Sequence, residues 1–166
     1  MDLSTKSFDF NAQPDILQIP FKPKSLKDRI LSIIVHNKRY RLVSDYYYYY
    51  VFEGKVHRTL IKRGFIHDGA TIFRFSWRVL KVTPDGKHRA HTLFHDYGYI
   101  NKGNVVAEVW NAEKQNFESK EIFLSKKFLD KLYKRRIIEV GIPPITAKIM
   151  FSATRLLGLV FWPTLK

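Results

Sequence analysis

The sequence contains no cysteine, and this absence excludes disulfide bonds, thiolate metal sites and thiol catalysis. Long apolar runs are also missing. The apolar segment Leu156–Trp162 is far shorter than the roughly 20 residues of a membrane-spanning helix. No apolar segment typical of a signal peptide follows Met1. We therefore expect neither a signal peptide nor a transmembrane span, and a protein that is intracellular or built into a particle assembled inside a cell.

Acidic residues are scarce compared with basic ones. The chain carries 29 Lys and Arg against 15 Asp and Glu, which gives a formal net charge of +14. Such an excess attracts anionic partners, and a membrane surface, a cell-wall polymer and nucleic acid are the candidates. The alternative is that the basic residues, which are spread along the whole chain, serve solubility. Apolar residues make up 45% of the 166 residues, which is enough for one folded domain.

Hydrophobic periodicity predicts an α+β fold in which N-terminal antiparallel strands precede about four helices in one small domain. Residues 1–25 contain three prolines and little periodicity, which is typical of an extended N-terminal arm, and residues 26–166 form the domain. Strands are predicted within residues 30–61. The predicted helices cover residues 70–80, 87–99, 126–140 and 145–157.

Local signals mark a hairpin and the helix ends. Residues 105–110 and 121–124 are predicted to pair as a hairpin between the second and third helices. Ser125 is a favourable N-cap for the third helix, and Gly141 is a favourable C-cap. Pro144 suits the first position of the last helix.

Five consecutive tyrosines, Tyr46–Tyr50, lie within the predicted strands. Because successive side chains of a strand point to opposite faces, the rings must alternate between the two faces of the sheet. One interpretation is a sheet with both faces covered. The other is a platform on which bases or sugars stack.

The most informative segment is Phe94–Tyr99, where a histidine directly precedes an aspartate near the end of a predicted helix. His95 can act as a general base if a carboxylate on its other nitrogen fixes the tautomer, and Asp130 on a later helix is the candidate. Tyr99 can donate a hydrogen bond to Asp130, and Asp96 can hold a cation such as calcium that polarises a substrate. The structural alternative is a buried His95–Asp130 bond that locks two helices together.

A zinc site is a competing interpretation of the same helix. His88, His91 and His95 share one helix face, and His91 with His95 has the i, i+4 spacing of zinc ligands. Asp68 or His67 would be the third ligand. Asp68 also precedes a predicted helix, where capping is its alternative role. The metal-ligand candidates are therefore Asp96, Asp68 and His91, with Ca²⁺ favoured over Zn²⁺.

Four segments follow one another within the region from Tyr40 to Trp162, namely Gly64–Ile72, His95–Tyr99, Phe128–Tyr133 and Gly158–Trp162. In this order they resemble a phage-enriched family known as domain of unknown function 1353. They resemble, in turn, the family's GF-x-x-D-x-A-S-I-P signature, its HD-x-x-Y box, its A-D-x-x-F helix and its apolar ending. The resemblance implies a phage origin, and it carries no established activity.

A more distant resemblance is mechanistic. His95 and Asp96, with Tyr99 and the later Asp130, are similar to the His-Asp-x-x-Tyr box of secretory and parvoviral type-A phospholipases. In those enzymes the histidine is the base, the adjoining aspartate binds calcium and a later aspartate supports the histidine. The resemblance implies these roles for His95, Asp96 and Asp130 respectively. The disulfides of many such enzymes have no counterpart here, and Asp68–Gly69 is the one nearby candidate for their glycine-rich calcium loop.

Three functions are compatible with these features. The favoured hypothesis is a phage virion, tail or assembly component, present in multiple copies beside other phage structural proteins, in the virion or in the host cytoplasm before assembly. In this hypothesis the His/Asp cluster is a structural latch. The first alternative is a metal-assisted hydrolase of lipid or cell-wall ester or amide bonds that uses His95 as general base. The second is a basic nucleic-acid-binding module, although a recognised binding motif is missing.

Overall fold

The computed structural model describes residues 8–19, 39–67 and 86–164, with the backbone alone for residues 153 and 156–164. These ranges contain seven strands and three helices. In chain order the elements are β1 (Ile16–Ile19), β2 (Arg39–Leu42), β3 (Tyr46–Phe52), β4 (Lys55–Ile61), β5 (Ile66–His67), α1 (Arg89–Ile100), β6 (Asn104–Asn111), β7 (Asn116–Phe123), α2 (Lys126–Glu139) and α3 (Pro144–Thr164).

The strands form two antiparallel sheets. The small sheet has the order β1-β2-β5, and Tyr40 at its centre lies opposite His67. The large sheet has the order β3-β4-β6-β7, so that β6 returns to pair with β4 after α1. The small sheet matters for function because its last strand carries His67 toward α1.

The tyrosine run in β3 alternates between the two faces of the large sheet. Tyr48 and Tyr50 are buried on the inner face, where Phe94 of α1 stacks on Tyr48 with ring centroids 4.2 Å apart. On the outer face the Arg58 guanidinium lies 4.4 Å from the Tyr47 ring, and Phe8 packs against Tyr49. Both faces are therefore covered, and the five rings do not form a continuous stacking platform.

The N-terminal segment lies against the rest of the chain. The Phe8 ring packs edge-on against Trp110 and Phe117 on the outer face of the large sheet, with centroids 5.3 Å and 5.7 Å away. Further along, β1 adds a strand to the small sheet. Residues 8–19 of the predicted arm thus cover the domain's own surface.

The helices pack on the inner face of the large sheet and on one another. Leu93 and Phe94 of α1 belong to the main core, and Leu129 and Leu132 of α2 close it. The two helices approach closely at Gly98, because a β-carbon there would lie 2.7 Å from the Leu129 methyl carbons. This contact lies one residue from Asp130 and fixes the distance between the two halves of the site.

Both ends of α2 carry local capping interactions. The Ser125 hydroxyl accepts a hydrogen bond of 3.2 Å from the Phe128 N–H. Gly141 follows the helix with φ +94°, a conformation that glycine adopts without a side-chain clash, and Ile142 N–H bonds Ile137 C=O. Pro144 is the first residue of α3, a position that proline favours, and the helix extends to Thr164, beyond the predicted end at residue 157.

The predicted number of helices is wrong. The described residues contain three helices, not about four, while the mixed α+β class is retained. The helix predicted over residues 70–80 lies outside the described residues.

The predicted hairpin forms as β6 and β7, with longer strands than expected. Gly103, at φ +81°, turns the chain from the end of α1 into β6. Over the described residues, the structure has no helix that is both long and apolar enough to span a membrane.

Candidate functional site

The candidate site lies where α1, α2 and β5 meet. One turn of α1 carries His95, Asp96 and Tyr99, and α2 contributes Asp130. Because residues 95 and 99 are four apart, their side chains leave the same face of α1, toward α2. His67 comes from β5 on the other side of Asp96. The structure thus brings together three predicted catalytic residues, His95, Asp130 and Tyr99, with the predicted metal ligand Asp96.

His95 is fixed by Asp130. The Nε2 atom of His95 lies 3.1 Å from Asp130 Oδ1, and the Tyr99 hydroxyl donates to the same oxygen over 2.5 Å. The imidazole also packs between the rings of Tyr99 and Tyr133, with centroids 4.1 Å and 5.2 Å away. His95 is 5% exposed and Asp130 is 2% exposed, so this hydrogen bond is shielded from water.

The second oxygen of Asp130 faces two cations. Lys126, one turn earlier on α2, donates to Oδ2 over 3.0 Å, and Arg155 of α3 places its Nε 3.9 Å away. Buried carboxylates are stable only when they are paired and hydrogen-bonded. Lys126, together with the hydrogen bonds from His95 and Tyr99, therefore keeps Asp130 ionised, and the ionised carboxylate can support a positive charge on His95.

The other nitrogen of His95 points toward Asp96. The distance from Nδ1 to Asp96 Oδ1 is 3.8 Å, longer than a hydrogen bond. Asp96 Oδ2 lies 3.6 Å from His67 Nδ1 and is buried without a hydrogen-bond partner among the described residues. The Asp96 side chain is 16% exposed, more than those of His95, His67 and Asp130, so the site approaches solvent on this side.

Burial and neighbouring charges shift the pKa values of His95, Asp130 and Asp96. Burial alone lowers the pKa of His95, but its hydrogen bond with Asp130 and the nearby negative charges of Asp130 and Asp96 outweigh burial and raise it. Burial raises the pKa of Asp130, and the bonds from His95, Tyr99 and Lys126 bring it below its ordinary value. The pKa of Asp96 is likewise lowered by the two histidines against the opposing effect of burial. His95 is thus a strengthened base held by two carboxylates.

Tyr99 remains a neutral donor. Burial and the adjacent Asp130 charge both raise the pKa of its hydroxyl far above the ordinary tyrosine value. The hydroxyl therefore keeps its proton and donates it to Asp130 at all physiological pH values. This places Tyr99 as a residue that orients Asp130.

Of the predicted zinc ligands that the structure describes, His91 and His95 have different partners. The Nδ1 atom of His91 shares a hydrogen bond of 3.0 Å with the Tyr48 hydroxyl under the large sheet. Burial, with the nearby charges of Arg136 and His88, lowers the pKa of His91 to about 3, so the ring is neutral. Asp68 lies outside the described residues. Across residues 8–19, 39–67 and 86–164, His, Asp and Glu side chains form no group of three that could hold a metal ion.

The described donors alone do not make a calcium site. Asp96 is the one carboxylate on the Nδ1 side of His95 among the described residues, whereas calcium takes six to eight oxygen ligands. Asp130 is already engaged by His95, Tyr99 and Lys126.

Sequence reasoning missed the partners contributed by tertiary contacts. Lys126 could have been predicted from the sequence as a partner of Asp130, since it lies four residues earlier, the spacing of a helical ion pair. No sequence pattern indicates Arg155 as a partner. His67 was considered as a zinc ligand, but its proximity to Asp96 depends on β5 pairing with β2 and was not readable from spacing.

The comparison with protein families gives one match. The model of a family described as "Protein of unknown function (DUF1353)" matches residues 40–154, more than half of the chain. The matched region contains His67, His95, Asp96, Tyr99 and Asp130. No curated protein and no solved structure matches the chain significantly.

Proposed function

The chain belongs to the DUF1353 family of proteins of unknown function, and we propose that it hydrolyses ester or amide bonds of lipid or cell-wall material with His95 as the general base. One observation carries this proposal. Asp130 holds Nε2 of His95 at 3.1 Å, while Nδ1 faces the more exposed Asp96 side across a 3.8 Å gap. A base needs this asymmetry, because one nitrogen must be fixed and the other must reach water.

The side chains support a simple proton pathway. Neutral His95 takes a proton at Nδ1 from a water molecule, whose oxygen attacks the acyl carbon of the substrate. The imidazolium is stabilised by Asp130, and Tyr99 and Lys126 hold that carboxylate in place. When the tetrahedral intermediate collapses, the acyl–oxygen or acyl–nitrogen bond breaks and His95 returns the proton to the leaving group. The described residues supply the base and its support, and we assign no oxyanion donor among them.

The charge of the chain supports an anionic substrate. A net charge of +14 concentrates anionic lipids or wall polymers at the protein surface. Asp130 and Asp96 are enclosed by histidines and by Lys126, so they do not oppose this attraction at the surface. Lipid and cell-wall esters or amides are therefore the substrate classes to test.

The test compares two histidines of one helix. The wild type, His95→Gln and His91→Gln are assayed on fluorogenic phosphatidylglycerol, a short-chain nitrophenyl ester and labelled peptidoglycan, each with calcium and with EDTA. We expect hydrolysis of at least one substrate by the wild type and by His91→Gln, and a loss of about a hundredfold or more in His95→Gln. Circular dichroism checks that each variant is folded. A wild type inactive on all three, or an active His95→Gln, would reject the proposal.

A second candidate function is a structural component of a phage particle, in which the cluster is a latch. The deep burial of His95 and Asp130 and the hydrogen bond between them favour it, because a latch needs no access to water. In this case the partners are other phage structural proteins and the chain is present in several copies. Mass spectrometry of purified virions from an infected host tests it, and absence of the chain from the particle would reject it.

A further inference from the structure

The small sheet has two chemically different faces. On the inner face, Tyr40 and His67 are buried toward α1. On the outer face, Leu17, Arg41 and Ile66 are direct cross-strand neighbours, one from each strand. Side chains of the same strands thus serve the candidate site on one side and form a separate surface on the other.

The outer surface is a shallow groove with a volume of about 560 Å³. Besides Leu17, Arg41 and Ile66, its lining includes Val43, Arg63 and Gly64. The exposed fractions are 58% for Leu17, 42% for Val43 and 40% for Ile66. Several exposed branched aliphatic side chains that line one groove are typical of an interaction surface.

The groove is positively charged. Arg41 and Arg63 are exposed, and none of the described residues that line the groove is acidic. Asp45, close to Arg63 in the structure, is engaged by Lys62 and by the Arg63 backbone N–H. The surface therefore offers two guanidinium groups between three exposed aliphatic side chains.

We propose that this outer face, defined by Leu17, Arg41, Val43, Arg63 and Ile66, docks onto an anionic phospholipid surface. Guanidinium groups pair with lipid phosphates through parallel hydrogen bonds, and the aliphatic side chains enter the boundary between headgroups and acyl chains. A single-stranded nucleic acid would favour aromatic rings for stacking, and the groove lining has none among the described residues, while the exposed aliphatic side chains have no counterpart on a duplex backbone. The proposal rests on the proposed hydrolase and names a phospholipid as the source of its ester.

The test measures co-sedimentation of the full chain with vesicles of phosphatidylcholine alone and of phosphatidylcholine mixed with phosphatidylglycerol. The double variant Arg41→Gln/Arg63→Gln is compared with Lys120→Gln/Lys131→Gln, which removes the same charge from exposed positions elsewhere. Ile66→Thr is compared with Val106→Thr, an exposed β-branched residue of the other sheet. Thermal unfolding of each variant confirms that it is folded.

We expect binding to the mixed vesicles alone. The arginine pair should weaken it about thirtyfold, since each basic residue near the membrane contributes about fivefold, and the lysine pair should weaken it much less. Ile66→Thr should also weaken binding and Val106→Thr should not. Equal loss in the two charge pairs, equal binding to both kinds of vesicle, or an arginine-dependent preference for duplex DNA over the mixed vesicles would overturn the docking proposal.

Activity separates this proposal from the hydrolase. His95→Gln should bind mixed vesicles as well as the wild type does, and Arg41→Gln/Arg63→Gln should lose hydrolysis of vesicle lipid while keeping hydrolysis of a short-chain ester in solution. Vesicle binding without any hydrolysis would reject the hydrolase and leave docking standing. Hydrolysis of the short-chain ester without vesicle binding would reject docking and leave the hydrolase standing.

Discussion

His95 and Asp130 join α1 to α2 through a hydrogen bond of 3.1 Å between two side chains that are almost completely buried. Removing either side chain would leave the other as an unpaired charge in surroundings of low polarity, which is strongly destabilising. The hydrolase and the latch both need this bond. In the hydrolase, removal of the bond should lower both the rate of hydrolysis and the stability of the fold. In the latch, its removal should lower stability alone.

Removing the carboxylate should destabilise the fold strongly. In Asp130→Ala, His95 loses the partner of its charge and the Tyr99 hydroxyl loses its acceptor, so we expect a loss of about 3–5 kcal/mol in the free energy of unfolding. Tyr99→Phe should cost about 1.5–3 kcal/mol, the range for a bond to a charged group. Urea denaturation measures both. Tyr97→Phe on the same helix is the control, and a loss as large as that of Tyr99→Phe would contradict the geometry.

The pair should also make stability depend on pH. The pKa of His95 is raised on folding, so its stabilisation is complete below the unfolded pKa near 6.5 and is lost as pH rises through the higher folded value. We therefore expect the difference in unfolding free energy between wild type and His95→Gln to shrink as the pH rises from the unfolded pKa near 6.5 through the higher folded pKa. Urea denaturation across this range measures it, and a difference that grows with pH would show that the shift has the opposite sign.

Asp96 should set the pH at which the base works. A general base must be neutral, and Asp96 helps to raise the pKa of His95, so wild-type hydrolysis should rise with pH through a midpoint above 6.5. In Asp96→Asn this limb should move to lower pH, because one of the two carboxylates beside the imidazole is gone. NMR titration of the His95 ring checks the same shift without relying on activity. An unchanged titration would mean that Asp96 does not act on His95.

The candidate site was readable from sequence where helix geometry determines it. The spacing of His95 and Tyr99 puts both on one helix face, and a later helix with an aspartate supplies the partner, as the structure has it. His67 was not readable in its role, because its position beside Asp96 depends on the pairing of β5 with β2. The helical spacing of His91 and His95 suggested a zinc pair, but Tyr48 of β3 engages His91 instead.

In the fold as well, features that depend on neighbouring residues were predicted better than contacts between residues far apart in the sequence. Caps at Ser125 and Gly141 fixed the ends of α2, because they depend on residues within one turn. The extent of the β6–β7 hairpin was underestimated, since Asn111–Asn116 closes it with polar residues that lack hydrophobic alternation. Pairing of β6 with β4 across α1 is a long-range contact that local patterns do not encode.

Gly98 should control the spacing of the site. An alanine β-carbon would meet the Leu129 methyl groups at 2.7 Å, and Leu129 is 1% exposed, so the leucine has little room to move. We expect Gly98→Ala to cost about 1–3 kcal/mol from overpacking, which exceeds the gain of about 1 kcal/mol in helix propensity. Gly98→Ala/Leu129→Ala should lose less than the sum of the two single changes. Additive losses in urea denaturation would show that the helices do not meet at this contact.

The tyrosine run offers a test of strand alternation with the same substitution at adjacent positions. Tyr48→Phe removes the hydroxyl that pairs with His91 Nδ1, and because the pKa of His91 is lowered to about 3 the ring stays neutral and loses its partner. We expect a loss of about 1–3 kcal/mol. Tyr47→Phe keeps its ring beneath Arg58 on the outer face and should change stability little. Equal losses in urea denaturation would contradict the assignment of the two rings to opposite faces.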